Sequence, residues 1–355
     1  MRKILLLLGV FLVLLLAPSL VRYLQFYDLT PAERLPVPAY EPDVPAVPTP
    51  AASSFTDAPE VGEGLVLLDQ SHSNDFTLAE IAYLDGRLAA RGYEMVPFTD
   101  GDLAAALRRV DAYVVIAPLA SFAPEEVTAV AEFVDRGGRL LLLGDPTRFE
   151  LTFDEEDIFA APIVESDDLP LNTLANTFDL IFNGDYLYNT RENEGNFRNI
   201  ILPEESFTAE ARVTDGLAQL VFYGAHSLQV GSTAEALITA DDNTWSSATD
   251  RPGGLVVAAS AADGRVLALG DINFITEPYY TVFDNSQFIA QVADFLTAPA
   301  VRTYDLADFP YLYGDAVDLV YLGKPALGPD AFDEIIALQD NFRQVGQTLT
   351  LAAAA

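Results

Sequence analysis

The 355-residue chain contains no cysteine. That one absence excludes thiol nucleophiles, thiolate metal sites, disulfides and bacterial lipoprotein attachment. Lysine is nearly missing too, present only as Lys3 and Lys324, so the basic side chains are almost all arginine. Basic residues of either kind are outnumbered: 19 Lys plus Arg against 53 Asp plus Glu leave a formal charge of −34. Such a balance disfavours nucleic acid and anionic lipid as partners and leaves cationic ligands, metal ions or basic protein surfaces as the compatible class. Phosphate-binding fingerprints are absent as well. The segment LLDQSHSND carries neither GxGxxG nor GxxxxGK, and no GxSxG elbow occurs, so nucleotide binding is not expected. No cofactor is implied.

Hydrophobic residues are not scarce. They make up 50% of the chain, enough for a sizeable core. The first of them form ILLLLGVFLVLLLAPSLV, an uncharged run from Ile4 to Val21 behind Arg2 and Lys3. As a helix it crosses most of a hydrocarbon core of about 30 Å. The positive flank keeps the N-terminus in the cytoplasm and sends the remainder across, so the expected location is the cell membrane, single-pass, with the main domain extracytoplasmic. A cleaved signal peptide is the rival, opposed by the hydrophobicity that persists through Tyr23 and Leu24. The anchor is assigned to residues 1–25 and a Pro/Ala-rich tether to 26–63, where repeated proline favours extended geometry.

From Gly64 to Ala298 strands and helices alternate. LVLLD (Leu65 to Asp69) reads as a buried parallel strand, and Leu78 to Gly92 as a helix ending at a glycine. YEMVPF, DLAAALRRV and AYVVIAPL continue as strand, helix and strand. Ala123 to Arg136 has proline and glutamates in its first turn and Gly137-Gly138 after it, the expected asymmetry of a helix, and RLLLLGD (Arg139 to Asp145) follows as a strand. Repeated strand–helix units predict a doubly wound parallel sheet with helices on both faces. The pattern weakens over about 146–253, taken as an insertion or lid. LVVAAS and RVLALGD then restore it as strands, and Asp284 to Leu296 is a helix capped by Asp284 or Asn285. Residues 299–355 are expected to form a strand–helix–strand appendage, too small to bury a core alone.

Three segments together carry a family likeness: LVLLDQSHSNDF, SFAPEEVTAVAEFVDRGGRLLLLGDP and ALGDINFITEPYYTVFDNSQFIAQVADFL. They resemble the glutamine amidotransferase-like domain of unknown function, also seen in accessory proteins of gliding-motility-type ABC transporters. The resemblance implies an α/β, flavodoxin-like doubly wound sheet of the class I amidotransferase type. It also implies the absence of amidotransferase chemistry, since the cysteine that family places on a strand-to-helix turn is missing.

In a doubly wound sheet, ligands bind beyond the carboxyl ends of the strands. Three predicted strands end in aspartate, at Asp69, Asp145 and Asp271, with His72, Asn74 and Asn273 on the same edge. Such carboxylates with His and Asn can hold a divalent cation or a polar ligand, although no particular metal is indicated. Asp also caps turns and helices routinely, which is the structural alternative for each. Trp245, Tyr279 and Tyr280 are of a type that lines sugar-binding surfaces, but core packing or lid stabilisation is the favoured role. No catalytic residue is assigned. The expected function is a membrane-anchored, non-catalytic binding or scaffolding module of an envelope complex. The alternatives are a metal-dependent hydrolase using the strand-end Asp/His cluster and an accessory component of an ABC transporter.

Overall fold

The alternation of apolar and amphipathic segments resolves into a mixed α/β architecture in the structure, a computed structural model. It describes residues 2–26, 55–152, 163–209, 211–249, 252–299, 316–321, 323, 328–344 and 348–353. The chain divides into two units, residues 1–51 and 52–355. In the first, α1 (Arg2–Phe26) is one helix of 25 residues containing Pro18. It is long and apolar enough to cross a membrane, with a mean hydropathy of 3.0 over its best 18 residues, and a signal sequence has the same character. Most of the tether expected over 26–63 falls outside the described residues. Its last part, from residue 55, belongs to the second unit: Asp57 forms ion pairs with Arg87 and Arg91, and the Gly62 amide donates to the Arg91 carbonyl.

The second unit opens with the predicted alternation. In chain order it runs β1 (Gly64–Asp69), α2 (Ala82–Ala90), β2 (Tyr93–Phe98), α3 (Leu103–Leu107), β3 (Ala112–Ile116), α4 (Pro124–Asp135) and β4 (Arg139–Leu143). Helix α2 starts four residues later than its periodicity suggests. Glu80 accepts from the Thr77 amide and hydroxyl, which holds residues 77–80 as a turn instead.

The less regular stretch is mostly β. It comprises β5 (Phe149–Thr152), β6 (Ile163–Ser166), α5 (Asp168–Ala175), β7 (Leu180–Phe182), β8 (Leu187–Tyr188), β9 (Asn199–Pro203), β10 (Gln219–Tyr223), β11 (Leu228–Val230), β12 (Ala234–Thr239) and β13 (Trp245–Ser246). Then come β14 (Val256–Ala261), β15 (Val266–Leu269) and α6 (Asn285–Thr297). Asp284 does not cap α6 with its side chain. Its carboxylate accepts the Ala218 and Gln219 amides, while Asn285 is buried and exchanges hydrogen bonds with the backbone of Val221.

The nine-stranded central sheet has the order β2-β1-β3-β4-β15-β14-β11-β7, with β12 also paired to β14. Its first five strands are parallel, and β14, β11, β7 and β12 add antiparallel pairs. The expectation of a wholly parallel sheet therefore gives way to a mixed one, because part of the supposed insertion supplies sheet strands. Alternate residues of the parallel strands feed two cores: Leu68, Val114 and Leu141 join Leu84, Leu88 and Phe288 on one side, whereas Leu67, Val115 and Leu142 join Leu107, Val130 and Phe133 on the other. Helices α2 and α6 thus cover one face and α3 and α4 the other. Toward the C-terminus, β16 (Ala316–Tyr321) and β17 (Thr348–Ala353) pair in parallel around α7 (Pro329–Gln344).

Candidate functional site

Each of the three strands β1, β4 and β15 delivers an aspartate at or just beyond its carboxyl end, and Asp69, Asp145 and Asp271 are all fully buried. Sheet order divides them. Strand β3 lies between β1 and β4, whereas β4 and β15 are neighbours. The six residues singled out in the sequence consequently form two groups, one around Asp69, His72 and Asn74 and one around Asp145, Asp271 and Asn273.

In the first group, Asp69 ends β1 and the chain turns back through Ser73, which has a left-handed φ of 52°. His72 Nδ1 stands 3.0 Å from both Asp69 carboxylate oxygens, and its Nε2 faces Glu126 Oε2 at 3.3 Å. Its ring stacks on Phe122 with 3.6 Å between centroids. Burial pulls the imidazole pKa down, but the hydrogen bonds and charges of Asp69 and then Glu126 outweigh it, and the net direction is up. Asn74 has a structural job: its Oδ1 accepts the His72 amide and its Nδ2 donates to the Ile116 carbonyl, which latches this loop onto β3. Ser71 Oγ donates to Asp69 at 2.9 Å. Tyr113 is buried nearby; burial first, and then the charge of Asp69, raises its phenol well above the ordinary value.

The second group is denser. Asp145 Oδ1 accepts the Thr147 amide at 2.8 Å and hydroxyl at 2.6 Å, an Asx-type turn, and its Oδ2 takes Asn273 Nδ2 at 2.6 Å. Asp271 Oδ2 accepts the Tyr223 amide at 2.7 Å, and its Oδ1 accepts the Asn273 amide at 2.8 Å. Burial, followed by the charge of Asp145, pushes Asp271 up to about 8. Asp145 is also raised by burial, although Thr147 and Arg148 offset part of the effect. Arg148 ties the two groups together, since it approaches Asp145 at 3.4 Å and donates to the Asp75 carbonyl in the loop after β1.

Three members of this network carried no motif. Asp167 accepts the Asp145 amide at 2.6 Å and His226 Nε2 at 2.9 Å. Both Asp167 and His226 are buried. Glu126 looks in the sequence like an ordinary first-turn glutamate, and its Oε2 does accept the Ala123 amide at 2.7 Å. The only sequence signal for His226 was the scarcity of histidine.

Among the described residues, no three His, Asp or Glu side chains group as ligands for one metal ion. Three cavities lie away from the strand-end aspartates, at about 710 Å³ beside residues 204–217, about 930 Å³ between Arg139, Arg212 and Phe295, and about 180 Å³ near Asp179. Chemically, the second group is a pair of buried carboxylates, Asp145 and Asp271, both pushed toward the protonated form and joined through the Asn273 amide. Tyr279 lies tilted against Tyr223 and Tyr280 stacks on Tyr83, so these two aromatics pack on neighbouring rings, while Trp245 lies in β13, which pairs with β8.

No family model matches the chain, and no curated protein matches it. Among solved structures, the N-terminal domain of mmIFT52 superposes with a TM-score of 0.51 at 17% identity, covering 66% of this chain and 98% of that one. A ThuA-like protein from Parabacteroides merdae gives a TM-score of 0.38 at 9% identity, over 69% of this chain and 94% of its own. A GMP synthase component from Thermoplasma acidophilum gives 0.34 at 12% identity, over 66% and 96%. The first likeness shows a shared fold; the other two are too loose to carry more.

Proposed function

We propose that this chain is a non-catalytic binding or scaffolding module, anchored by α1 and carrying its α/β domain on the outer face of the membrane within an envelope complex. One observation carries the reading. The strand-end aspartates, which would serve chemistry in a doubly wound sheet, are buried and spend their oxygens on the turns that shape the fold. The order 2-1-3-4 followed by β15 in the parallel half supports a flavodoxin-like core, in keeping with the amidotransferase-like resemblance of the sequence. Arg2 and Lys3 ahead of the apolar run support an inside N-terminus.

The rival, hydrolysis at the strand ends, draws on the raised protonation of Asp271 beside Asp145. Calorimetric titration of the full chain in detergent with Mg²⁺, Ca²⁺ and Zn²⁺, alongside Asp145→Asn and Asp271→Asn, separates the two. A module gives no saturable heat in any of them, and in-membrane crosslinking to the same neighbours persists in both variants. Saturable heat that disappears in the variants would establish a metal site and end the scaffold reading.

A further inference from the structure

Arginines are scarce here and several of those facing the folded interior are matched to carboxylates: Arg87 and Arg91 to Asp57, and Arg148 to Glu80 and Asp145. The cavity of about 930 Å³ breaks that rule. It lies at the opposite end of the sheet from the aspartates, where β4 begins and β15 is entered, and Arg139, Arg212 and Arg265 all line it. Arg139 has no carboxylate partner among the described residues. It donates to the carbonyls of Ala298 at 3.3 Å and Gly264 at 3.2 Å and lies over the Phe295 ring, so its guanidinium is held in place while its charge goes unneutralised. Arg212 has no side-chain hydrogen bond or ion pair among the described residues. Arg265 meets the exposed Asp263, at 3.6 Å.

Arg212 is solvent-exposed and Arg265 also donates to the Ala262 carbonyl, whereas the half-buried Arg139 meets, among the described residues, only backbone carbonyls and the Phe295 ring. Burial, then Arg265 and Arg212, depress the Arg139 pKa. Two of the four acids in the wall are already engaged. Asp294 is taken by Arg91 at 2.7 Å and Asp263 by Arg265, which leaves Asp215 and Glu235. Gln291, also in the wall, gives its Nε2 to the Asp215 carbonyl and has a buried Oε1 with no partner among the described residues. Guanidinium groups recognise oxyanions through paired N–H donors, and free carboxylates with a spare amide oxygen take hydroxyl or ammonium donors. The volume suits a small metabolite.

We infer that this cavity is a binding site for a small molecule that carries one phosphate or carboxylate head, held by Arg139 and Arg212, and hydrogen-bond donors behind it. The site stands apart from the scaffold reading, because it shares no residue with the strand-end networks. The test is calorimetric titration of the full chain in detergent with glycerol 3-phosphate, and with inorganic phosphate as the bare head, at constant ionic strength. Saturable binding of glycerol 3-phosphate is expected, tighter than phosphate, and weakened at least tenfold in Arg139→Gln and in Arg212→Gln. Arg212→Gln should melt like the parent, since the Arg212 side chain makes no internal hydrogen bond or ion pair among the described residues, so its loss of affinity reports on the site and not on folding. Absence of saturable heat with both probes, or equal affinity in parent and both variants, would overturn the assignment.

Discussion

Asp145 and Asp271 share the amide of one asparagine: Asn273 Nδ2 donates to Asp145 at 2.6 Å and lies 3.1 Å from Asp271. The two carboxylates come from adjacent strands and are both fully buried. Only one of them is readily ionised at a time, because a second buried negative charge so close is costly. The pair is therefore a proton-holding joint between β4 and β15, and several consequences can be measured.

Stability should fall as pH rises through the neutral range. Asp271 is raised in the fold to about 8 from an ordinary 3.8, so between those values the native state binds more protons than the unfolded state. His72 and His226 are also raised, and the stability they contribute, complete below the unfolded imidazole value, is lost as pH rises through their folded values. At the acid end Asp57 and Glu80 act oppositely, being held low after their arginine partners outweigh burial, so their contribution is lost as pH falls through their folded values. Melting temperatures should peak in mildly acidic buffer and decline toward about pH 9. Asp271→Asn should flatten that decline, and an unchanged slope in the variant would remove Asp271 as its cause.

Asn273→Ala should destabilise the domain by about 1–3 kcal/mol, the usual cost of stranding buried acceptors. The loss should grow with pH, since the missing donor matters most when a carboxylate is ionised. Urea denaturation at about pH 5 and about pH 8 measures both, and equal losses at the two values would show that Asn273 acts through packing alone.

Arg91 is the buried cation that binds the entry segment to the domain. It is 1% exposed and reaches Asp57, Asp294 and the Ala290 carbonyl. Removing it leaves Asp57 partly buried with Arg87 as its remaining ion partner, and truncating one side of such a pair costs about 3 kcal/mol. Arg91→Ala should lower the urea midpoint accordingly and expose residues 55–63 to faster amide exchange. Arg91→Lys should recover little, because an ammonium cannot serve three separated acceptors as the guanidinium fork does.

Much of this architecture could be read from residue pattern. Apolar runs closing in aspartate located β1, β4 and β15, and the glycine pair after Arg136 marked the end of α4. Which aspartates meet could not be read, because that depends on sheet order: β15 is inserted beside β4 from far along the chain, while β3, nearer in sequence, separates β4 from β1. The antiparallel half was obscured for a different reason. Its strands are as short as three residues and lie among 3-10 turns, too brief for a period to declare itself. Asp167 and Glu126 acquire their roles only from what folds against them.

The seam between β15 and the segment carrying His226 leaves no room for a side chain on Gly270. Gly270 follows β15, donates its amide to the Val257 carbonyl and accepts the His226 amide at 2.8 Å. A Cβ at this position would lie 2.2 Å from the His226 carbonyl oxygen, with backbone rather than a movable side chain in the way. Gly270→Ala must push His226 outward, which strains its bond to Asp167 and, through Asp167, the amide of Asp145. The expected loss is about 3 kcal/mol, at the upper end for overpacking. Gly86→Ala is the matched control: it is exposed on α2 with nothing within 4 Å of the added carbon, and alanine there should stabilise by about 0.5–1 kcal/mol. If both variants melt like the parent, the close approach at Gly270 is not a constraint, and the coupling of His226 to the aspartate pair loses its support.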